Sequence, residues 1–510
     1  MGAWAREAEG DVWLSDSGLW NSIRTFYDRP VENVWEGRVP FRVTSGPLIA
    51  GAYADLIAAY AEDWSAWGGA GALNVLELGA GHGYFSEALL RAFALRRARF
   101  QRCGTRVHLF VTDQAEACLR RWQRRSTMAK AMSRGECSFS LLDAALVEGS
   151  LPEGGFPGAP WVFIANYVFD SLPQDAFLFE EGGARRAALD AAAEGRIRGA
   201  EPDALEPELT FRDFDPADLE EPLRSAFDRA AESSTNGCLL LPTGALRCVE
   251  RLRRASGGRC LIVASDKAWT RSEDAIRPNA GEAAAFTDAS MMVNFGALNE
   301  QAERRGGVAF AQQTQQETLA TAAWAFGLPK GALARTGEAF SRELDERSPG
   351  DLDTVLAAAL GRAGELGLGT LVAALKVARW DPAAFDRCYE AMFAAIPTAP
   401  PTACADLARG LPEVVRQRCV GEWVPDTLAR AGVLRSRLGD VAGALAWLEQ
   451  ALKERAGDVR AQLELGRCLA AVGRYQEARQ YLASALESGE TGAQEALAEC
   501  AAKEADAGRR

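Results

Sequence analysis

The first residues that could do chemistry together lie at the end of an apolar run, LNVLEL, and in the glycine-rich segment after it. They are Glu77, Gly79, Ala80, Gly81 and Gly83. Alternate glycines let a backbone approach a bound nucleotide where any Cβ would collide. The spacing is GxGxG, and Tyr84 stands where a dinucleotide-binding fold has its third glycine. A nucleotide without a pyrophosphate group is therefore the better match.

Polar residues also follow three further apolar runs. Asp113 comes after RVHLFVT, Asp143 and Ala144 come after SFSLL, and Asn166 comes after WVFIA. An open α/β sheet binds its ligands at the carboxyl ends of its strands, so these side chains are expected to share one site. We predict that Asp113 accepts both hydroxyls of a ribose, and that Asp143 beside the small Ala144 accepts an adenine amino group.

The glycine-rich segment resembles the first motif of class I S-adenosylmethionine methyltransferases. Their ligand carries no phosphate, and an acid before the loop suits its cationic amino-acid moiety. The run NYVFDSLP at 166–173 is similar to the N-E-x-x-D-x-L-P signature of the MidA-type methyltransferases, the family that includes the mitochondrial complex I assembly arginine methyltransferase. Thr44, Ser45 and Pro47 resemble the T-S-P segment of that family, with one inserted glycine.

Three later blocks extend this resemblance, so that it spans roughly residues 19–327. Residues 260–267 are similar to a later strand of the family, and 292–298 with 312–319 to its closing strands and helix. The resemblance implies an α/β fold with a Rossmann-like class I sheet, and S-adenosyl-L-methionine as the cofactor. It also implies that Thr44 and Asn166 belong to the cofactor site.

One position departs from the family signature, because Tyr167 replaces the usual Glu. A carboxylate holds a guanidinium bidentately, so this change removes the expected support for an arginine substrate. Asp170 remains at the next acidic position, where it is predicted to orient or deprotonate an amine or guanidine, while Tyr167 stacks on it or contributes a hydroxyl. The alternative is that Asp170 caps a helix and Tyr167 only packs.

Composition disfavours several other classes of protein. The chain has 57 Lys and Arg against 70 Asp and Glu, a net charge of -13, which argues against a nucleic-acid surface. The basic run at 120–125 is interpreted as a solvated helix face. Two histidines and eleven cysteines without a CxxC pair indicate neither a metal site nor a disulfide framework. His82 is predicted to shape the glycine loop, and His108 to lie in the core.

We expect a cytoplasmic protein with no membrane partner, because no apolar stretch approaches the about 18 residues of a membrane span and the N-terminus resembles no signal peptide. Length and pattern divide the chain further. We predict a helical N-terminal extension at 1–70, a methyltransferase domain at 71–330 with an insertion at 183–222, a helical domain at 345–424 and a repeat region at 425–506.

The repeat region is recognised from a 34-residue period. The residues of the first copy are Gly432, Gly439, Ala444, Leu448, Ala451 and Leu452, and those of the second are Gly466, Gly473, Ala478, Leu482, Ala485 and Leu486. This pattern is typical of tetratricopeptide (TPR) repeats, and two copies must stack on neighbouring helices or on a cap at 490–503.

We therefore expect methyl transfer to a protein or peptide recruited through the TPR groove, with a homodimer left open. A catalytically silent scaffold that acts through its TPR unit is the first alternative. A small-molecule methyltransferase is the second, because Tyr167 removes the expected carboxylate.

Overall fold

The computed structural model describes residues 11–27, 42–69, 71–146, 151–181, 183–197, 209–233, 236–278, 286–287, 290–313, 319–418 and 426–509. The chain divides into two compact units. The first comprises Met1–Ser45 and Ile49–Asp351, and the second comprises Gly46–Leu48 and Leu352–Arg510.

The strands precede residue 327 in the described part of the chain. They are β1 (Val12–Trp13), β2 (Ala72–Leu78), β3 (Arg106–Asp113), β4 (Cys137–Leu141), β5 (Trp161–Asn166), β6 (Asp175–Glu180), β7 (Gly183–Leu189), β8 (Thr210–Arg212), β9 (Gly237–Leu241), β10 (Cys260–Asp266), β11 (Ala268–Trp269), β12 (Ile276–Arg277), β13 (Phe286–Thr287), β14 (Ser290–Met291), β15 (Val293–Asn294), β16 (Val308–Ala311) and β17 (Ala320–Phe326).

The α-helices run through both units. They are Gly18–Tyr27, Arg42–Ser45, Pro47–Ala66, Tyr84–Leu95, Arg97–Arg102, Glu116–Arg124, Ser126–Ser133, Ala191–Ile197, Leu223–Ser233, Thr243–Ala255, Phe295–Arg304, Ala334–Phe340, Pro349–Gly361, Leu368–Val377, Pro382–Ala395, Pro401–Gln417, Thr427–Arg437, Val441–Glu454, Val459–Ala471, Tyr475–Glu487 and Ala493–Arg509.

A seven-stranded sheet forms the centre of the first unit, in the order β16-β17-β10-β5-β2-β3-β4. The five strands from β10 to β4 are parallel, and β17 is antiparallel to both of its neighbours. Every residue of β2 is buried, as expected for a parallel strand with both faces covered. The parallel register brings the carboxyl ends of β2, β3, β4, β5 and β10 to one edge of the sheet.

A second, antiparallel sheet has the order β1-β7-β6-β9-β12, with β8 paired to β7. It corrects two expectations. The N-terminal extension is not purely helical, because Val12 of β1 pairs with Leu189 of β7. Within the predicted insertion at 183–222, β7 and β8 belong to this sheet, and residues 198–208 lie outside the described part of the chain. We missed β7 because its sequence, GARRAAL, is poor in β-branched and aromatic residues.

The closing strands of the central sheet also differ from the expectation. Residues 292–298 contain the short strand β15 and the start of the helix Phe295–Arg304. The last two strands, β16 and β17, flank the predicted block at 312–319 instead of containing it, and residues 314–318 lie outside the described residues.

The second unit is helical throughout its described residues. Two helical hairpins, Thr427–Arg437 with Val441–Glu454 and Val459–Ala471 with Tyr475–Glu487, repeat the same contacts. A Cβ on Gly432 would lie 2.9 Å from Leu448 Cγ, and a Cβ on Gly466 would lie 2.6 Å from Leu482 Cγ. The hairpins share a core with the helix Ala493–Arg509, and Ala431 and Leu434 pack into the core of the preceding helices. The hairpins therefore stack on both predicted partners, the preceding helices and the C-terminal helix.

Gly466→Ala should weaken the second hairpin by about 1–3 kcal/mol, because the new methyl group overpacks Leu482. Gly457→Ala is the matched control, since an added Cβ there meets no heavy atom within 4 Å. Native-state hydrogen exchange in Val459–Ala471 and Tyr475–Glu487 measures the difference. Equal exchange in the two variants would contradict the close helix approach.

Candidate functional site

The glycine loop after β2 is held in a left-handed backbone. Gly79, Gly81 and Gly83 have φ values of 60, 50 and 75°. A Cβ on Gly83 would lie 2.8 Å from the indole of Trp122, whose Nε1 donates to the Gly81 carbonyl at 3.0 Å. Gly83 is thus required by the packing of Trp122 as well as by its own backbone conformation.

Asp113 ties this loop to the end of β3. Its Oδ2 accepts the Gly81 backbone N–H at 2.9 Å, and its Oδ1 accepts the Ala115 N–H at 2.9 Å. The Ala80 N–H donates to the Thr112 carbonyl at 2.9 Å. Each carboxylate oxygen keeps a second lone pair, so Asp113 can still accept a hydroxyl while it anchors the loop.

Glu77 lies beneath the loop and is 4% exposed. Ser86, on the helix that follows the loop, donates a short hydrogen bond to Glu77 Oε2. The pKa of Glu77 is raised to about 8, mainly by burial; the Ser86 hydrogen bond opposes the rise and the negative charge of Asp113 adds to it. At neutral pH the carboxyl is therefore mainly protonated, and a cation beside it would favour its ionised form.

Asp143 follows β4 and already has two partners. Its Oδ1 accepts the Ala145 N–H at 2.8 Å, and Arg24 Nη2 lies 2.5 Å from its Oδ2. Ala144 begins the short 3-10 helix Ala144–Leu146 beside it. Arg24 comes from the helix Gly18–Tyr27, so the N-terminal segment reaches the position predicted for adenine recognition.

Asn166 ends β5, and Tyr167 follows it. Tyr53, on the helix Pro47–Ala66, donates to Asn166 Oδ1 at 2.8 Å. Asn166 Nδ2 is buried and has no hydrogen-bond partner within the described part of the chain. Tyr167 has φ 50°, an uncommon conformation for a residue with a Cβ, and its N–H donates to the Ser265 carbonyl at 2.9 Å.

Asp170 lies one turn further, in the 3-10 helix Phe169–Ser171, and faces a second buried acid, Asp266. Asp266 ends β10, and its Oδ2 accepts the N–H groups of Phe169 at 2.9 Å and Asp170 at 3.3 Å. Burial raises the pKa values of both carboxyls, and the charge of Lys267 opposes this for Asp170. Asp170 Oδ1 accepts no hydrogen bond from the described residues. The pair therefore holds one proton more readily than two negative charges.

Two other residues of the sequence analysis, Thr44 and His82, lie near or within the glycine loop. Thr44 is 4% exposed, on the short helix Arg42–Ser45, which lies against the helix Tyr84–Leu95. The ring of His82 stacks on Tyr84 at 5.2 Å, and burial together with nearby arginines lowers its pKa to about 3. A neutral, stacked imidazole supports the expected loop-shaping role.

Two further expectations have different outcomes. His108 is buried in β3, with both ring nitrogens hydrogen-bonded, as predicted for a core residue. The basic run at 120–125 is not simply a solvated face, because Arg125 lies 4.3 Å above the ring of Tyr84 and 3.5 Å from Glu87. Packing of its guanidinium against an aromatic ring explains the difference.

Comparison with known proteins gives two matches along the chain. Residues 56–273 match a family model described as "Putative S-adenosyl-L-methionine-dependent methyltransferase". This part of the chain is therefore similar to a methyltransferase family, and its cofactor is S-adenosyl-L-methionine. Residues 437–504 match a tetratricopeptide repeat model, which confirms the repeat. No curated protein matches the chain.

The chain also has low similarity to several solved structures. Two are from Burkholderia thailandensis: an uncharacterized protein and a protein of the same superfamily bound to S-adenosyl-homocysteine. They are 16% and 17% identical, with TM-scores of 0.39 and 0.40, and the alignments cover 64% of this chain and 91% of each structure. The DhpI–SAH complex is 14% identical, with a TM-score of 0.27 and coverage of 61% and 98%.

The residues of the methyltransferase region fit this cofactor. The left-handed loop leaves no Cβ at Gly79, Gly81 or Gly83, Glu77 is a buried acid suited to an ammonium group, and Asn166 offers an unpartnered donor. The cofactor supplies an electrophilic methyl group on its sulfonium, and the protein supplies binding and orientation.

Sequence analysis missed Tyr53, Ser86 and Asp266 as parts of the site. Asp266 carried the same signal as Asp113, since it is an acid at the end of an apolar strand, CLIVASD. Tyr53 and Ser86 lie on helices and become neighbours of the strand ends only through tertiary packing.

No helix in the described part of the chain is long and apolar enough to cross a membrane. No group of three His, Cys, Asp or Glu side chains in the same residues could hold a metal ion.

Glu77→Gln should change how stability depends on pH. The folded pKa of Glu77 lies near 8 and its ordinary value is 4.5, so the folded state binds the extra proton and loses stability as pH rises through about 8. The variant lacks this loss. The difference in thermal midpoint between the ligand-free variant and ligand-free wild type should therefore shift in favour of the variant as the pH rises from 6 to 9. Ser86→Ala should move the loss to higher pH. A constant difference across this range would contradict a buried, protonated Glu77.

Proposed function

We propose that the methyltransferase region binds S-adenosyl-L-methionine at the carboxyl edge of the central sheet and methylates an amine or guanidine of a protein. One observation carries the proposal: a buried carboxyl pair, Asp170 with Asp266, lies next to the glycine loop. A Cβ on Gly79 would lie 3.1 Å from Val168 Cγ2, so the segment before Asp170 is in contact with that loop.

The carboxyl pair suits a cationic methyl acceptor. Two acids that share one proton carry one negative charge, which interacts with Lys267 and can also attract an ammonium or guanidinium. An ammonium must lose one proton before its nitrogen has a lone pair, whereas a guanidinium loses one during the transfer. The nitrogen–methyl bond then forms as the sulfur–methyl bond breaks. Asp170 Oδ1, which accepts no hydrogen bond from the described residues, is the acceptor we assign to that proton.

Tyr167 supports a role at the acceptor end of the site. A tyrosine in the left-handed region is strained by about 1–3 kcal/mol, and such strain persists where surrounding contacts fix it. Its position between Asn166 and Asp170 favours stacking on a planar guanidinium or packing against a lysine stem. Arginine therefore stays the first candidate, by resemblance to the MidA-type family.

The TPR unit is proposed to recruit the protein substrate. Two of its helices place an arginine over one ring of the preceding helix Pro382–Ala395: Arg437 and Arg460 lie 4.8 and 4.9 Å from the centre of Phe393. Arg460 also contacts Tyr389 at 5.2 Å and pairs with Glu390. Guanidiniums that stack on rings keep N–H groups for a partner, and TPR helices commonly offer extended concave binding surfaces.

A catalytically silent scaffold is the second candidate, and a specific observation favours it. Both oxygens of Asp113 accept backbone N–H groups, and Asp143 is paired with Arg24, so the two predicted adenosine acceptors already have protein partners. A scaffold would bind cofactor weakly and transfer no methyl group.

Asp170→Asn should leave S-adenosyl-homocysteine affinity within about twofold, measured by calorimetry, and slow methyl transfer by roughly a hundredfold or more, the range for a lost general base. Transfer is measured with isotopically labelled cofactor, a lysate and mass spectrometry. The control is Asp190→Asn, at a carboxylate that accepts the Ala193 N–H at the start of the helix Ala191–Ile197. Equal losses of folding and binding in Asp170→Asn would support the helix-capping alternative, and a wild type without any transfer would support the scaffold.

Arg437→Glu combined with Arg460→Glu should preserve cofactor binding and reduce labelling of the lysate protein, because both changes lie in the TPR unit. Lys453→Glu gives the control, since Lys453 is exposed on the neighbouring helix Val441–Glu454. Undiminished labelling in the arginine variant would remove this surface from substrate recruitment.

A further inference from the structure

We infer that Tyr53 is a positioning residue that turns the amide of Asn166 so that its N–H groups point to the bound ligand. Asn166 then acts as a hydrogen-bond donor to a carboxylate, and we assign this carboxylate to the amino-acid moiety of the cofactor. The inference rests on the proposed cofactor site and specifies how one of its residues works.

A chain of hydroxyl groups leads to Asn166 through the core. Thr321 Oγ1 lies 2.7 Å from Ser265 Oγ, Ser265 Oγ lies 2.7 Å from the Tyr53 hydroxyl, and that hydroxyl lies 2.8 Å from Asn166 Oδ1. These residues come from β17, β10, the helix Pro47–Ala66 and β5. Tyr53, Ser265 and Thr321 are each at most 1% exposed, so water does not compete for these bonds.

The direction of the chain follows from its last member. An amide oxygen only accepts, so the single hydrogen of the Tyr53 hydroxyl goes to Asn166. The bond between Ser265 and Tyr53 then needs the Ser265 hydrogen, and the bond between Thr321 and Ser265 needs the Thr321 hydrogen. Burial raises the pKa of Tyr53, so its hydroxyl remains a donor across the physiological range.

This direction leaves the Asn166 amide nitrogen facing away from Tyr53. Nδ2 is buried, and its two N–H groups have no partner in the described part of the chain. A buried donor without a partner is costly, and a ligand oxygen would remove that cost. The preceding residue, Ala165, is opposite Leu78 in the sheet register, so this donor adjoins the start of the glycine loop.

Three features select a carboxylate as the ligand group. The donor lies beside a loop whose glycines leave room for backbone approach. Glu77, close by, suits the ammonium of the same amino-acid moiety. The Asn166 amide nitrogen cannot take up the proton that the methyl acceptor loses. Asn166 therefore serves ligand binding, and Asp170 receives that proton.

The main test uses Tyr53→Phe in the full chain. The ring should keep its edge contact with Phe85, at 5.5 Å between centroids, while the hydroxyl is lost. Affinity for S-adenosyl-homocysteine should fall by roughly three- to tenfold, the range for one hydrogen bond. Tyr60→Phe is the matched control on the same helix, since Tyr60 is equally buried and its hydroxyl is not a member of the hydroxyl chain. Its affinity should equal that of wild type.

Two further measurements separate positioning from a general structural effect. The decarboxylated analogue of S-adenosyl-homocysteine should bind Tyr53→Phe and wild type equally, because it lacks the group that Asn166 binds. In Asn166→Ala, adding Tyr53→Phe should cause no further loss for the full ligand, since Tyr53 acts through Asn166. Equal losses for both ligands, or additive losses in the double variant, would overturn the inference.

Asn166→Asp tests the donor itself. The aspartate can still accept from Tyr53, but it presents an oxygen where Asn166 presents N–H groups, so affinity for the full ligand should fall more than in Tyr53→Phe. Wild-type affinity in Asn166→Asp would also overturn the inference. Failure of the wild type to bind S-adenosyl-homocysteine would instead contradict the proposed cofactor site.

Discussion

The site depends on how buried carboxyl groups at one edge of a parallel sheet are satisfied without water. Glu77, Asp113, Asp170 and Asp266 are each at most 8% exposed. Two of them, Asp113 and Asp266, are stabilised by backbone N–H groups and thereby fix the loops beside them. Burial raises the pKa values of Glu77 and Asp170, while the Ser86 hydrogen bond opposes the rise for Glu77 and the charge of Lys267 opposes it for Asp170. Asp113 and Asp266 therefore shape the site, and Glu77 and Asp170 are the carboxyl groups that we assign to ligand contacts.

This division explains why the glycine loop and the strand ends must be considered together. The loop conformation needs glycine at 79, 81 and 83, but it is held by Asp113 from β3 and by Trp122 from the next helix. A change at any of these positions therefore acts on the cofactor site through the loop. On the other side of β5, the hydroxyl chain from Thr321 to Asn166 likewise fixes a residue of the site through its neighbours.

Much of this arrangement could be predicted from local sequence. Apolar runs indicated β2, β3, β4 and β5, the family resemblance indicated β10, and the 34-residue period indicated the TPR hairpins. The second sheet was missed because β7 reads as Ala-rich loop and gains its structure only by pairing with β6 and β1. Tyr53, which lies 113 positions before its partner Asn166, was missed for a related reason: no local pattern encodes a contact across that separation.

Hydrogen exchange with and without S-adenosyl-homocysteine tests the central claim most directly, because it maps ligand contacts along the intact chain. A cofactor site at the carboxyl edge of the central sheet predicts new protection in the glycine loop at 79–83, after β3 at 113–115 and after β5 at 166–171. The tetratricopeptide helices should exchange as in the free protein. Binding that protects other segments, and leaves these three unchanged, would contradict the account.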